Sequence, residues 1–310
     1  MTIAILGAGA IGQLIAHQLA NANVAPLLLV KPDQATSSNN QATPFVIEQP
    51  ELQQRQQHQF DVINTGDYLT ATILPDIELL IVTLKAYQVV PAVSALLPKL
   101  SAQCHILLLH NGIGSHLELE PHLDGLGLSL GTTSQGALRL GPRLIRHTGE
   151  GMSQFGHYCG PELSSELRQL LLKAIPNSSW VEKIMPALWQ KLAVNAVINP
   201  LTALNNIPNG ALTAARYQPQ IDAILQELQQ VAWLENIHLD SDKLASTVRQ
   251  VMVLTAENFS SMHQDVLHKR RTEIDYINGY LVKRAAAHKL ALPVNQQLVS
   301  QINRLSPAAA

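Results

Sequence analysis

The first part of the chain alternates between short apolar runs and helical patterns of apolar and polar residues. The runs at 2–6 and 27–30 are rich in apolar and branched side chains, as buried parallel strands are. Between them, the apolar residues of 11–19 fall on one face of a helix. This order predicts a β-α-β unit at the N-terminus.

Further strand-like runs continue this alternation downstream, and a helical stretch separates the last two. The strands are expected at 60–65, 79–84 and 105–109, and the helix at 88–100. The segment 34–59 is rich in glutamine and asparagine, and we expect one short strand at 45–47 with loops around it. Strands that alternate with helices predict a doubly wound parallel sheet.

Glycines become frequent between residues 125 and 158, where the strand-like runs are also short. This pattern of glycines and short runs predicts antiparallel strands that are added to the edge of the parallel sheet. A helix at 162–173 and a final strand near 178–181 would then complete an N-terminal α/β domain.

Beyond residue 182 the pattern is helical throughout, with breaks such as Pro200 and Pro293. The predicted helices span 183–199, 218–236, 241–262 and 272–288. A chain of 310 residues is long enough for two domains. We therefore expect an α/β domain over 1–181 and an all-α domain over 182–310.

Composition and charge exclude several classes of protein. Hydrophobic residues make up 46% of the chain, which argues against disorder, and a net charge of -2 with 4% aromatic residues argues against nucleic-acid or anionic-membrane partners. No apolar run approaches the ~20 residues of a membrane span, and the N-terminus lacks the pattern of a secretory signal. Cys104 and Cys159 form no disulfide framework. We expect a soluble, cytoplasmic protein.

A glycine motif, Gly7-x-Gly9-x-x-Gly12, follows the first predicted strand and opens the first helix. Gly7 permits the tight turn, Gly9 lets a pyrophosphate approach the backbone, and Gly12 lets the helix pack close to the strand. The unpaired N–H groups at a helix N-terminus favour a phosphate anion. Because the motif lies within a β-α-β unit, it predicts dinucleotide binding rather than a turn without a ligand.

The residue at the end of the second predicted strand bears on which dinucleotide is bound. NAD-selective sites usually place an Asp or Glu there, about 20 residues beyond the glycine loop, to hold the ribose 2′-hydroxyl. This chain has Lys31 instead, which can pair with a 2′-phosphate and favours NADPH (NADP+). A solvated surface lysine is the alternative reading, and Asp33 lies near enough to keep NAD open.

A polar stripe marks the first helix of the second domain. Lys191, Asn195 and Asn199 are spaced four residues apart in an otherwise apolar stretch, so they span about 80° of one helix side and about 12 Å of its length. Buried polar groups without partners are costly, and a cleft with a bound ligand would supply partners. In the alternative reading Lys191 is exposed and both amides bind neighbouring backbone.

Downstream lies a second polar cluster. Asn258 and Ser261 are three residues apart and would be neighbours on a helix. Thr272 and Asp275 have the spacing of a capping box for the last predicted helix. Glu273 is then either a functional acid or a first-turn acid that the helix dipole favours, and spacing does not separate the two readings.

Five segments in this order resemble the ketopantoate reductase family over nearly the whole chain. They are Gly7–Gly12, Val82–Ala86, His110–Gly114, Lys191–Asn195 continuing to Asn199–Pro200, and Thr272–Gly279. The resemblance implies a Rossmann-type domain followed by an all-α domain like the C-terminal domain of 6-phosphogluconate dehydrogenase. It also implies an oxidoreductase that reduces 2-dehydropantoate (ketopantoate) to (R)-pantoate with NADPH, in pantothenate and coenzyme A biosynthesis.

The resemblance also implies residue roles. Lys191 matches the catalytic lysine that protonates the ketone oxygen, and Glu273 matches the acid that orients substrate and lysine. The implied substrate-binding residues are Asn111, Asn195, Asn199, Asn258 and Ser261. The implied cofactor-binding residues are Gly7, Ala8, Gly9, Ala10, Ile11, Gly12, Lys31, Lys85 and Asn111. No metal is implied, and the Gln- and Asn-rich segment 34–59 and Lys31 in place of a frequent arginine depart from the family.

Other readings of the sequence remain. His110 follows a strand and could serve as an acid or base, as histidine does in other hydroxyacid dehydrogenases. His263 and His268 are five residues apart, a poor fit to the zinc motif HExxH. The chain could reduce another small 2-keto or 3-hydroxy acid, or could bind a dinucleotide without catalysis. We expect a monomer or homodimer.

Overall fold

The computed structural model describes residues 1–31, 42–66 and 72–306. The chain forms two compact units. The N-terminal unit contains Met1–His110 and Ser115–Ile184, and the C-terminal unit contains the chain from Met185 onward together with Asn111–Gly114.

The N-terminal unit is built on an eight-stranded sheet with the order β12-β11-β8-β7-β6-β1-β2-β5. Its strands are β1 (Ile3–Leu6), β2 (Leu27–Val30), β5 (Val62–Asn64), β6 (Leu79–Val82), β7 (His105–Leu108), β8 (Gly127–Thr133), β11 (Ser153–Cys159) and β12 (Ser178–Trp180). Across the sheet from β5 through β2, β1, β6 and β7 to β8, every strand is parallel to its neighbours. Strand β11 runs antiparallel to β8 and parallel to β12. The six parallel strands follow the 3-2-1-4-5-6 order of the Rossmann fold. The predicted α/β class is confirmed.

A second sheet of four strands, with the order β4-β3-β10-β9, was not predicted. Its strands are β3 (Thr43–Gln49), β4 (Gln54–Phe60), β9 (Gly136–Gly141) and β10 (Leu144–Gly149). The expectation of one short strand in 34–59 was wrong, because polar β4 pairs with β3 through its backbone along its full length. The placement of all the 125–158 strands at the edge of the main sheet was also wrong. Ile145 of β10 instead packs beside Ile47 of β3 and against Leu14.

Helices cover the main sheet in the N-terminal unit and make up the C-terminal unit. The N-terminal unit has α1 (Ala10–Asn21), α2 (Ala86–Leu96), α3 (Ser115–Leu119) and α4 (Ser165–Ala174). The C-terminal unit has α5 (Met185–Asn205), α6 (Gln218–Leu234), α7 (Ser241–Leu254), α8 (Ser261–Leu267), α9 (Asn278–Ala287) and α10 (Pro293–Leu305). The expectation of an all-α second part is therefore confirmed over the residues that the structure describes.

Several helix boundaries differ from those expected. Helix α5 continues past Pro200 to Asn205 instead of ending there. The helix expected over 241–262 is two helices, because Ser260 caps a new one by accepting a hydrogen bond from the N–H of His263 at 3.1 Å. The helix expected over 272–288 begins only at Asn278, after a short 3-10 turn.

Among the described residues, none of the helices is both long enough and apolar enough to span a membrane.

Candidate active site

The glycine loop joins β1 to α1 and is held tightly in place. Gly7 has φ +108°, a backbone conformation that side chains disfavour. A Cβ on Gly12 would lie 2.0 Å from the carbonyl oxygen of Gly7 and 2.6 Å from Oγ1 of Thr83. Thr83 Oγ1 itself donates to that carbonyl at 2.8 Å. The loop therefore needs glycine at both positions to close against the end of β6.

Gly9 differs from the two glycines beside it. A Cβ at Gly9 would meet no atom of the described residues within 4 Å, so this part of the fold does not itself require glycine there. Gly9 is the N-cap of α1, which carries no side-chain cap in the described part of the chain. Its first turn, which holds Ala10 and Ile11, has no acidic residue. Open space beside an uncapped helix N-terminus fits a pyrophosphate group.

The two lysines expected near the cofactor flank this loop in the sheet. Lys31 directly follows β2 and is exposed, whereas Asp33 lies outside the described residues. Lys85 is the N-cap residue of α2, three residues after β6, and is partly buried. Both β2 and β6 are direct neighbours of β1, so the lysines follow strands on either side of the glycine loop. Ligands of doubly wound sheets bind where the strand order reverses in this way.

Lys191 lies in the second turn of α5 and is partly exposed. Burial of the ammonium group lowers its pKa from 10.5 to about 8, and the nearby Glu273 carboxylate opposes this shift. The alternative reading, in which Lys191 is exposed, is therefore wrong. A lysine with a pKa near neutral pH can hold a proton and also release it.

Glu273 lies in a buried turn and is 3% exposed. Asn111 Nδ2 donates to Glu273 Oε2 at 3.5 Å, and the N–H of Ile113 donates to the carbonyl of Tyr276 at 2.9 Å. These bonds attach Asn111–Gly114, the segment after β7, to the turn that contains Glu273. The sequence predicted that this segment belongs to the first domain. The expected capping box is wrong, since the 3-10 turn starts at Ile274 and has no side-chain cap among the described residues.

Asn195 and Asn199 follow Lys191 on α5 at the expected spacing. Asn199 is buried at 6% exposure, and Asn195 is partly exposed. Thr202 Oγ1, just beyond the stripe, is hydrogen-bonded to Ser260 Oγ at 2.7 Å. This bond attaches α5 to the start of α8, and sequence reasoning did not identify either residue.

Asn258 and Ser261 are both exposed and do not share a helix. Asn258 lies in the loop before α8, and its carbonyl accepts from the N–H of Asn209 at 2.9 Å. Ser261 is the first residue of α8, next to the Ser260 cap. The expectation that they are helix neighbours is wrong, because the Ser260 cap starts a new helix between them.

The remaining candidates are less informative. His110 is partly buried. His263 is 5% exposed and binds Asn206 Oδ1 through Nε2 at 2.7 Å. In the described ranges no group of three metal-binding side chains occurs. A cavity of about 160 Å³ in the N-terminal unit is lined by His17, Gln18 and His147 among others, and no predicted site residue lies in its lining.

Comparisons with known proteins show which family the chain resembles. Residues 3–160 match the family described as Ketopantoate reductase PanE/ApbA, and residues 183–306 match Ketopantoate reductase PanE/ApbA C terminal. The 2-dehydropantoate 2-reductase of Vibrio cholerae is 37% identical over 306 residues, which cover 98% of each chain. That of Yersinia pestis is 45% identical over 228 residues, 73% of this chain and 74% of the relative.

Among solved structures, a D-mandelate dehydrogenase in complex with NADH and anilino(oxo)acetate superposes with a TM-score of 0.87. It is 21% identical and covers 98% of each chain, so this likeness concerns the fold alone. The family models and the 2-dehydropantoate 2-reductases, in contrast, match the amino-acid sequence of this chain over most of its length. The chain belongs to the ketopantoate reductase family.

Proposed function

We propose that the chain is a 2-dehydropantoate 2-reductase, which reduces ketopantoate to pantoate with a nicotinamide dinucleotide. The observation that carries this function is a buried acid beside a lysine whose pKa is lowered to about 8. Reduction of a ketone leaves negative charge on its oxygen, which an ammonium group can stabilise and protonate. Lys191 is the general acid, and Glu273 keeps it charged and oriented.

The same unit supplies the groups that bind the substrate. Amides at Asn195 and Asn199 and the side chains of Asn258 and Ser261 take the carboxylate and hydroxyl groups of ketopantoate. Asn111 Nδ2, which donates to Glu273 Oε2 at 3.5 Å, supports the orientation of the acid. These assignments make 182–310 the substrate domain and 1–181 the dinucleotide-binding domain.

The glycine loop holds the cofactor. The backbone of Gly7, Ala8, Gly9, Ala10, Ile11 and Gly12 receives the pyrophosphate at the N-terminus of α1, with Lys85 and Asn111 as further contacts. When bound, the nicotinamide supplies the hydride for the reduction. The N–H groups of the first turn orient the phosphates, and the open space at Gly9 leaves room for them.

Lys31 gives the site its preference for NADPH over NADH. It is exposed directly after β2, where a cation can pair with a 2′-phosphate. We expect Lys31→Glu to raise the KM for NADPH at least ~10-fold, since a charge-assisted contact is replaced by repulsion. If the variant keeps the KM of the wild type for NADPH and gains nothing with NADH, this assignment is wrong.

The decisive experiment follows NADPH oxidation at 340 nm with ketopantoate and with a panel of other 2-keto and 3-hydroxy acids. A kcat/KM for ketopantoate well above that for the panel supports the proposal. A preference for another acid assigns the chain to a related reductase, and binding of NADPH without turnover assigns it to a dinucleotide-binding protein. Monomer or homodimer state and a cytoplasmic location remain predictions.

Lys191→Ala tests the general acid directly. We expect a loss of at least ~100-fold in kcat with retained NADPH binding, the usual scale for removal of a general acid. Lys183→Ala, at an exposed lysine that precedes α5, is the control for loss of a lysine. Near wild-type turnover of Lys191→Ala would contradict the role.

A further inference from the structure

Helix α5 contains a proline inside its span, one residue after Asn199. Pro200 has no backbone N–H and cannot donate to the carbonyl four residues earlier, that of Ala196. Ala196 is completely buried, so water does not reach this carbonyl from the surface. A buried carbonyl that loses its helical donor needs a donor from elsewhere.

The side chain of Asn278 provides that donor. Its Nδ2 lies 3.0 Å from the Ala196 oxygen. Asn278 is fully buried and is the first residue of α9. The amide thus replaces the hydrogen bond that Pro200 removes, across 82 residues of sequence.

A chain of hydrogen bonds fixes the direction of this amide. Asn295 is fully buried, and its Nδ2 and backbone N–H both donate to Glu227 Oε2, at 2.7 and 2.9 Å. The N–H of Val294 donates to Glu227 Oε1 at 2.9 Å. Asn278 Nδ2 then donates to Asn295 Oδ1 at 2.8 Å.

Both ends of this chain accept only. Both oxygens of Glu227 accept hydrogen bonds from N–H groups, so Asn295 must turn its NH₂ group toward them and its oxygen toward Asn278. Asn278 must in turn donate to Asn295, and its second N–H reaches Ala196. The carboxylate on α6 therefore sets which end of the Asn278 amide faces α5.

We propose that Asn278 is a positioning residue for reduction: it stabilises α5 at Pro200 and so holds Asn195 and Asn199 in register for the substrate. Ala196 is adjacent to Asn195, and Pro200 is adjacent to Asn199. A shift of the helix at this point moves both amides relative to Lys191 on the preceding turns. This inference rests on the proposed function, because it assigns Asn195 and Asn199 to the substrate.

The test is a double-mutant cycle between Asn278 and Pro200. Pro200→Ala restores a backbone N–H that can donate to the carbonyl of Ala196, so Asn278 becomes dispensable in that background. We expect Asn278→Ala to lower kcat/KM for ketopantoate at least tenfold, with the Kd for NADPH changed less than twofold. In the Pro200→Ala background, the same substitution should cost no more than twofold. The ratio of the two effects, at least fivefold, is the coupling.

Asn205→Ala is the matched control. Its Nδ2 also donates to a carbonyl of α5, that of Leu201 at 2.8 Å, but no proline has removed the N–H that serves this carbonyl. We expect the same small effect of Asn205→Ala in both backgrounds. Equal losses for Asn278→Ala in both backgrounds overturn the proposal, and so does a lower Tm with unchanged kcat and KM.

Two further outcomes, a variant that does not fold and a wild type that is inactive, can be told apart from a failure of the proposed role of Asn278. If Asn278→Ala does not fold, the proposal requires that Pro200→Ala/Asn278→Ala does, and a double variant that stays unfolded overturns it. Wild-type protein measured in the same assay tests the function itself. An inactive wild type contradicts the proposed function, whereas an active wild type without coupling contradicts only the role of Asn278.

Discussion

Removal of the Glu273 charge tests the electrostatic arrangement of the site most directly. Burial lowers the pKa of Lys191 to about 8, and Glu273 raises it against that effect. Glu273→Gln keeps the shape of the side chain and its oxygen toward Asn111 but removes the negative charge. The pKa of Lys191 should therefore fall further, by about one unit, the lower end of the range for an adjacent opposite charge.

The size of the effect depends on pH. With a pKa of about 8, roughly three quarters of Lys191 is protonated at pH 7.5, and with a pKa of about 7 roughly one quarter is. Catalysis needs the protonated form, so activity falls as pH rises through the pKa. We expect Glu273→Gln to lose about threefold at pH 7.5, about tenfold at pH 9 and little at pH 6, beyond any loss that does not depend on pH.

The assay measures kcat/KM for ketopantoate from pH 6 to pH 10, because this ratio reports ionisations of the free enzyme. Asp275→Asn is the matched control. Asp275 lies two residues away and is exposed, where it accepts from Asn303 Nδ2 at 3.1 Å. An alkaline limb that does not move in Glu273→Gln, or that moves equally in Asp275→Asn, would refute the pairing of Glu273 with Lys191.

The remaining predictions concern the cofactor loop and a surface cluster. Gly9→Val should fold with only a small drop in Tm, because valine is a poorer N-cap than glycine, and bind NADPH at least ~10-fold more weakly, since its side chain enters open space that the phosphates need; an unchanged Kd contradicts this. Gly12→Ala should instead lower the free energy of unfolding by about 1–3 kcal/mol in denaturant titrations, because its Cβ would lie 2.0 Å from the Gly7 oxygen. Burial raises the pKa of Glu235, but hydrogen bonds from Arg284 and His288 outweigh this and lower it overall. Glu235→Gln should therefore lower the Tm at pH 7, and the difference should vanish as pH falls below the lowered pKa; a difference that persists in acid contradicts the ionic origin.

Local patterns allowed a large part of the fold to be predicted. Strand β2 occupies the expected residues 27–30, and α1 begins within the glycine motif, directly after Gly9, because a buried strand and an amphipathic helix each leave a periodic signal in adjacent residues. The stripe of Lys191, Asn195 and Asn199 was visible for the same reason. All three lie on one helix, and α5 has the regular spacing that the pattern requires.

What the sequence did not reveal depends on partners that are distant in the chain. Strand β4 is polar and shows no apolar alternation, yet it pairs with β3 through backbone groups that composition does not encode. Glu273 lies in a turn that the backbone N–H of Ile113, which is far away in the sequence, holds through the carbonyl of Tyr276. The local helical pattern does not contain this contact, so it placed the start of the helix too early. The need for Asn278 was also hidden, because the sequence predicted that the helix ends before Pro200, whereas α5 continues to Asn205 and leaves an interior carbonyl without its helical donor.

The apolar surroundings of α5 connect the sequence pattern of the site to its chemistry. The residues between the polar positions, among them Leu192, Ala193 and Val197, are buried, and this contrast made the stripe visible. The same burial removes water from the Lys191 ammonium and lowers its pKa toward neutral pH. Lys191→Arg would keep the positive charge but not the function, because a guanidinium stays protonated and does not release its proton. An apolar helix with a single lysine is therefore suited to a general acid, and the substitution would separate charge stabilisation from proton transfer.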